Sequence, residues 1–168
     1  NVNAFLFQYP GGPLEDLGDL EGSDNTIYYS GALAINNSGV IVGEGEDTTA
    51  GGVYHAFIYS GGMMTGLPLL PGDSGSDAYA INSADVAVGQ TGNNDGVGQA
   101  HAVFWNGGSV TALASGSVST ASDINNSGQI VGWVYTNSAQ HAFVYVNGTM
   151  LDMNTLIAVG TGAAFVYS

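Results

Sequence analysis

No lysine and no arginine occurs among the 168 residues, and all fourteen charged side chains are acidic. A surface of one negative sign repels phosphate backbones and anionic headgroups, so binding to nucleic acid is excluded. Cysteine is absent as well. Lysine amines, thiolates and arginine clamps on phosphate are therefore unavailable, which leaves only carboxylate, serine or metal chemistry. Without disulfides, a secreted chain must hold itself together by packing alone. No apolar run approaches the ~18 residues of a membrane-spanning helix, so no membrane insertion is expected. There is no initiator methionine and no signal peptide, as in a mature or excised segment. The lack of Lys and Arg also removes every tryptic site, which suits persistence outside a cell.

What is present is glycine, aromatic residues and β-branched residues, too apolar for disorder and too punctuated for a helix bundle. The acids are graded along the chain. Glu15, Asp16, Asp19, Glu21, Asp24, Glu44, Glu46 and Asp47 fall in the first 47 residues, and only Asp123 and Asp152 follow residue 95.

Two phrases recur. The first is His55-Ala56-Phe57-Ile58-Tyr59, His101-Ala102-Val103-Phe104-Trp105 and His141-Ala142-Phe143-Val144-Tyr145. Degenerate copies stand at Asn3-Ala4-Phe5-Leu6-Phe7 and Ala163-Ala164-Phe165-Val166-Tyr167. The second is Ala34–Gly43, Ala80–Gly89 and Asp123–Gly132, each a strand, a tight Asn/Ser/Gly turn and another strand. The His-Ala phrase opens a second hairpin, with Asn147-Gly148 as its strongest turn signal. Each period thus holds four short strands, the size of a propeller blade.

The fold expected is all-β: a propeller-like array of four-stranded antiparallel blades, about four in number, the last composite or completed by a neighbouring subunit. A single repeat domain spans 1–168, with an opening hairpin at 3–17, units at about 28–67, 77–113 and 120–152, and an orphan strand at 163–168. The orphan strand either closes a ring with the opening hairpin or pairs with another subunit, because an unpaired apolar edge is a template for strand addition.

Together the phrases resemble the HAF-repeat proteins, bacterial extracellular proteins named for His-Ala-Phe. Asp123–Gly132 and His141–Asp152 are the closest matches, and the resemblance covers almost the whole chain. It implies export to the cell exterior and brings no catalytic residues with it.

Several clusters invite chemistry. The three His share one repeat position and could meet around an axis to bind a transition metal, but the preferred reading is that each caps or orients its own strand by bonding a backbone group. Gly72-Asp73-Ser74-Gly75-Ser76 looks like a serine-protease nucleophile segment, but it falls in an inter-strand loop and reads as a turn. Asp16, Asp19, Glu21 and Asp24, then Glu44, Glu46 and Asp47, then Asp73 and Asp77 offer hard oxygens that suit Ca²⁺. The competing reading is a solvated anionic surface. Asn36, Asn125 and Asn147 head Asn-X-Ser/Thr sequences that could accept glycans, while turn chemistry explains them without any. Tyr28, Tyr29, Tyr54, Tyr79, Trp105, Trp133 and Tyr135 could stack sugars or pack between sheets.

The function expected is that of a non-enzymatic extracellular or cell-surface protein of bacterial type. It would self-assemble head to tail through Ala163, Ala164, Phe165, Val166 and Tyr167 against Asn3, Ala4, Phe5, Leu6 and Phe7. The alternative is a monomeric secreted propeller that binds carbohydrate or another surface ligand through its loops.

Overall fold

The computed structural model describes residues 2–20, 29–47, 52–93, 99–114, 117–136 and 138–156. The Asn-Gly and Gly-Gly turns do what their residue types require. Asn147 and Gly148 have φ of 51° and 79°, and Gly61-Gly62 and Gly107-Gly108 are likewise positive. Two successive left-handed residues match the twist of the flanking strands and close a two-residue hairpin. The other turn is built by asparagine. Asn36 Oδ1 accepts from the N–H groups of Ser38 and Val40 at 3.0 and 3.1 Å, and Asn82 and Asn125 repeat the arrangement.

At the start of the chain β1 (Phe5–Phe7) and β2 (Leu14–Asp16) form a two-stranded sheet. Three four-stranded antiparallel sheets follow. They comprise β3 (Ser30–Ile35), β4 (Ile41–Asp47), β5 (Val53–Ser60) and β6 (Met63–Gly66); β7 (Gly75–Ile81), β8 (Ala87–Gly92), β9 (His101–Asn106) and β10 (Ser109–Ala112); and β11 (Ser119–Ile124), β12 (Ile130–Thr136), β13 (Ala139–Val146) and β14 (Thr149–Asp152). Each runs in chain order, as a blade does. One four-residue helix, α1 (Met153–Leu156), ends the described chain. The all-β, blade-like architecture expected from the repeats is the one observed.

Alternation along the third strand of each sheet decides how the sheets stack. Phe57 and Tyr59 pack with Ala4 and Leu17 of the sheet before, while Ala56 packs with Ala78, Val103 and Trp105 of the sheet after. The next junction repeats this, with Ala102 and Val88 against Phe143 and Ile130. Every sheet therefore has a head face of large residues and a tail face of small ones, and each head sits on the preceding tail.

A buried serine fastens each junction. Ser30 Oγ accepts from Ala4 N at 2.9 Å, Ser76 Oγ from Ala56 N at 2.9 Å and Ser119 Oγ from Ala102 N at 3.1 Å. The Val-Gly ending of the second phrase has an equally local cause. A Cβ on Gly43, Gly89 or Gly132 would lie 1.9–2.0 Å from the carbonyl oxygen of Gly31, Asp77 or Thr120. Beside each of these glycines the first strand carries a bulge, at Leu33, Tyr79 and Ser122.

Candidate functional site

The three histidines do not converge. Each ring turns Nδ1 to a different carboxylate: His55 to Asp47 at 3.2 Å, His101 to Asp73 at 3.1 Å and His141 to Asp152 at 2.6 Å. Asn3, at the same repeat position, donates Nδ2 to both oxygens of Asp16 at 3.0 and 3.1 Å. The position thus sets a polar side chain beside a nearby acid. Asp73 also accepts from Thr91 Oγ1 at 2.5 Å.

The protease-like segment does reach a histidine, but through the wrong atom. His55 Nε2 lies 3.0 Å from the carbonyl oxygen of Ser74. A carbonyl only accepts, so Nε2 is the donor and is not poised to take a hydroxyl proton.

The acids considered for calcium are spread among protein donors. Gly18 N–H and the Asn3 amide hold Asp16 below the usual carboxylate range. Asp77 Oδ2 accepts from Gln90 Nε2 at 2.8 Å and from Tyr79 Oη at 3.1 Å. Asp19 and Glu46 belong to no metal-holding group, whereas Glu21 and Asp24 lie outside the described residues. Among the described residues no three His, Cys, Asp or Glu side chains are placed to hold a metal ion.

Of the candidate glycan acceptors, Asn36 and Asn125 have their amide nitrogens engaged. Asn36 Nδ2 donates to Asn82 O at 3.0 Å and to Asp85 at 2.7 Å, and Asn125 Nδ2 donates to Gln129 Oε1 at 2.7 Å. Asn82 Nδ2 continues the ladder to Asn125 O at 3.2 Å. These turns brace one another from sheet to sheet. Asn147 stands in an exposed hairpin turn.

A polar relay runs across the sheets at one register position, where the cross-strand pairs are Gly31 with Glu44, Asp77 with Gln90 and Thr120 with Trp133. Burial, with the hydrogen bond and charge of Asp77, pushes the Glu44 carboxyl up to about 7, and a bond with Tyr29 opposes this. Burial and the Asp77 carboxylate likewise hold the Tyr79 phenol well above its ordinary value. Gln90 Oε1 in turn accepts from Thr120 Oγ1 at 2.7 Å. Beside this last bond a cleft of about 470 Å³ opens, lined by Tyr79, Gln90, Thr120, Ser122 and Trp133. Sequence reasoning had no means of separating Trp133 from the other aromatics. Trp105, by contrast, is buried with its Nε1 donating to Pro68 O at 2.8 Å.

The candidate assembly residues of β1 divide by face. Ala4 is buried and Leu6 half-buried against the next sheet, while Phe5 and Phe7 are 61% and 51% exposed. Phe57, Val103 and Phe143, which hold the position of Phe5 in the larger sheets, are 0% exposed. At the other end, Val131 is 43% exposed, although its counterparts Val42 and Val88 are fully buried. The partner segment Ala163–Tyr167 lies outside the described residues.

A comparison with curated proteins finds no match. Residues 16–164, which include every strand from β3 to β14, match the family described as "Protein of unknown function (DUF3466)", and the chain belongs to that family.

Proposed function

We propose that this chain is a non-enzymatic structural protein of the cell exterior that associates with copies of itself head to tail. One observation carries the reading: the stack exposes a head face at β1–β2 and a tail face at β11–β14. These are the two halves of a junction that recurs three times inside the molecule. A surface of Phe5, Phe7 and Leu14 fits one of Val131, Ala142 and Val144 by the same rule that seats Phe57 on Ala4. Contacts of this heterologous kind build open polymers rather than closed pairs. The segment Ala163–Ser168, with its His-Ala-Phe-like phrase, would add as a strand to the β1–β2 sheet of the neighbouring copy. Export is supported by the resemblance to HAF-repeat proteins and by a composition without Lys, Arg or Cys.

Electron microscopy and sedimentation of natively purified protein test the reading. Full-length protein is expected as filaments or higher oligomers. Deleting residues 163–168 should give a monomer whose circular dichroism remains that of folded β-sheet. A full-length monomer, or a polymer unchanged by the deletion, would overturn it.

A further inference from the structure

The cleft between the second and third four-stranded sheets exists because the repeat departs from itself at one residue. The bulge in the first strand of each sheet re-aims a single side chain, Leu33, Tyr79 or Ser122. In the second sheet that position is filled by a phenol whose hydroxyl donates to Asp77. In the third it is filled by a serine, which reaches much less far. Trp133 meanwhile takes the place held by Glu44 and Gln90 in the earlier sheets, so an indole flanks the space that the missing phenol leaves.

We propose that this cleft is a binding site for a neutral sugar, an inference that goes beyond the assembly reading. Its volume of about 470 Å³ falls within the ~300–1,000 Å³ typical of small-molecule sites. Two aromatic side chains, Tyr79 and Trp133, offer the flat apolar surface on which the C–H face of a pyranose stacks. Thr120 gives its hydroxyl proton to Gln90 and is left to accept, the Gln90 amide keeps a second N–H to donate, and the Ser122 hydroxyl can do both, which suits the hydroxyls of a sugar. The Gln90–Thr120 bond holds two of these groups in place before any ligand arrives. The chain has no Lys or Arg to balance an anionic ligand, and its three histidines are each paired with an aspartate away from the cleft lining. Asp77, one bond behind Gln90, further disfavours negative charge. A neutral ring is the class that remains.

Trp133 also supplies the readout, since the only other tryptophan, Trp105, is buried. Glucose, galactose, mannose, N-acetylglucosamine, cellobiose and maltose would be titrated at millimolar concentration while tryptophan emission is followed. Binding would then be confirmed by saturation-transfer NMR. At least one sugar is expected to give a saturable change, and glucuronate none. Ser122→Tyr restores the residue type of the preceding sheet and should weaken binding by about tenfold or more. Trp133→Leu, which removes the indole, should do the same by NMR without lowering the melting temperature greatly. Absence of saturable binding by every neutral sugar would overturn the inference. So would undiminished, wild-type affinity in both variants, or glucuronate binding as well as glucose.

Discussion

Glu44 and Asp77 meet at the first junction between four-stranded sheets, in a chain with no lysine or arginine to separate them. Burial, followed by the hydrogen bond and charge of Asp77, pushes Glu44 up to about 7, so the carboxyl keeps its proton below that pH and the charge there is reduced. Unfolding returns it to the ordinary 4.5. Between those values the folded chain binds more protons than the unfolded one, so stability falls as pH rises from about 4.5 to about 7. Melting curves across that range should show the decline, and Glu44→Gln should flatten it and raise the melting temperature at pH 8. An unaltered slope in that variant would place the proton elsewhere. The junction serines make a second test at this scale. Ser76→Ala leaves the buried Ala56 N–H without its acceptor, and the expected cost is about 1–3 kcal/mol in urea denaturation. Ser119→Ala should cost a similar amount through Ala102.

Within each four-stranded sheet the first hairpin depends on a bulge facing a glycine. Gly89→Ala would set a Cβ 1.9 Å from the Asp77 carbonyl oxygen, a backbone atom that cannot rotate aside. Its loss of stability should exceed that of Ser76→Ala, by more than about 3 kcal/mol, or no folded protein should be recovered on expression. A Gly61→Ala control meets only open space and should cost far less, limited by its positive φ. The hairpins were legible in the sequence because their causes are local: Asn-Gly turns, Asn-headed turns and strict alternation. The junction serines were not. They stand 26, 20 and 17 residues from the alanines they serve, so loop length hides the correspondence. Nor were the histidine partners, because Asp47, Asp73 and Asp152 come from three different places in their repeats. The cleft becomes visible only when register aligns Ser122 with Tyr79, a relation that bulges obscure in the bare sequence.

Across the molecule, charge and packing point in one direction. Eight of the fourteen acids fall in the first 47 residues, Glu15 and Asp16 among them in the exposed β2 strand, and only two follow residue 95, so head-to-head pairing would set like charges together. Head-to-tail contact sets the acidic pole against a nearly neutral one and repeats the internal junction. A polymer of this kind has two chemically distinct ends, and each can be blocked separately. Phe5→Asp with Phe7→Asp places carboxylates on the exposed head face, away from Ala4 and Leu6. Val131→Asp with Val144→Asp does so at cross-strand partners on the tail face. Each variant alone should be a monomer, because each copy retains one competent end and meets no complementary one. Mixed in equal amounts, they should form a one-to-one dimer and stop, since the intact tail of the first fits the intact head of the second. Analytical ultracentrifugation distinguishes this outcome from its rivals. A symmetric interface would be lost in one variant and survive in the other, with no complementation on mixing. A closed ring would leave both variants and their mixture monomeric. Only two unlike faces, each the counterpart of the other, produce a dimer from two variants that cannot polymerise.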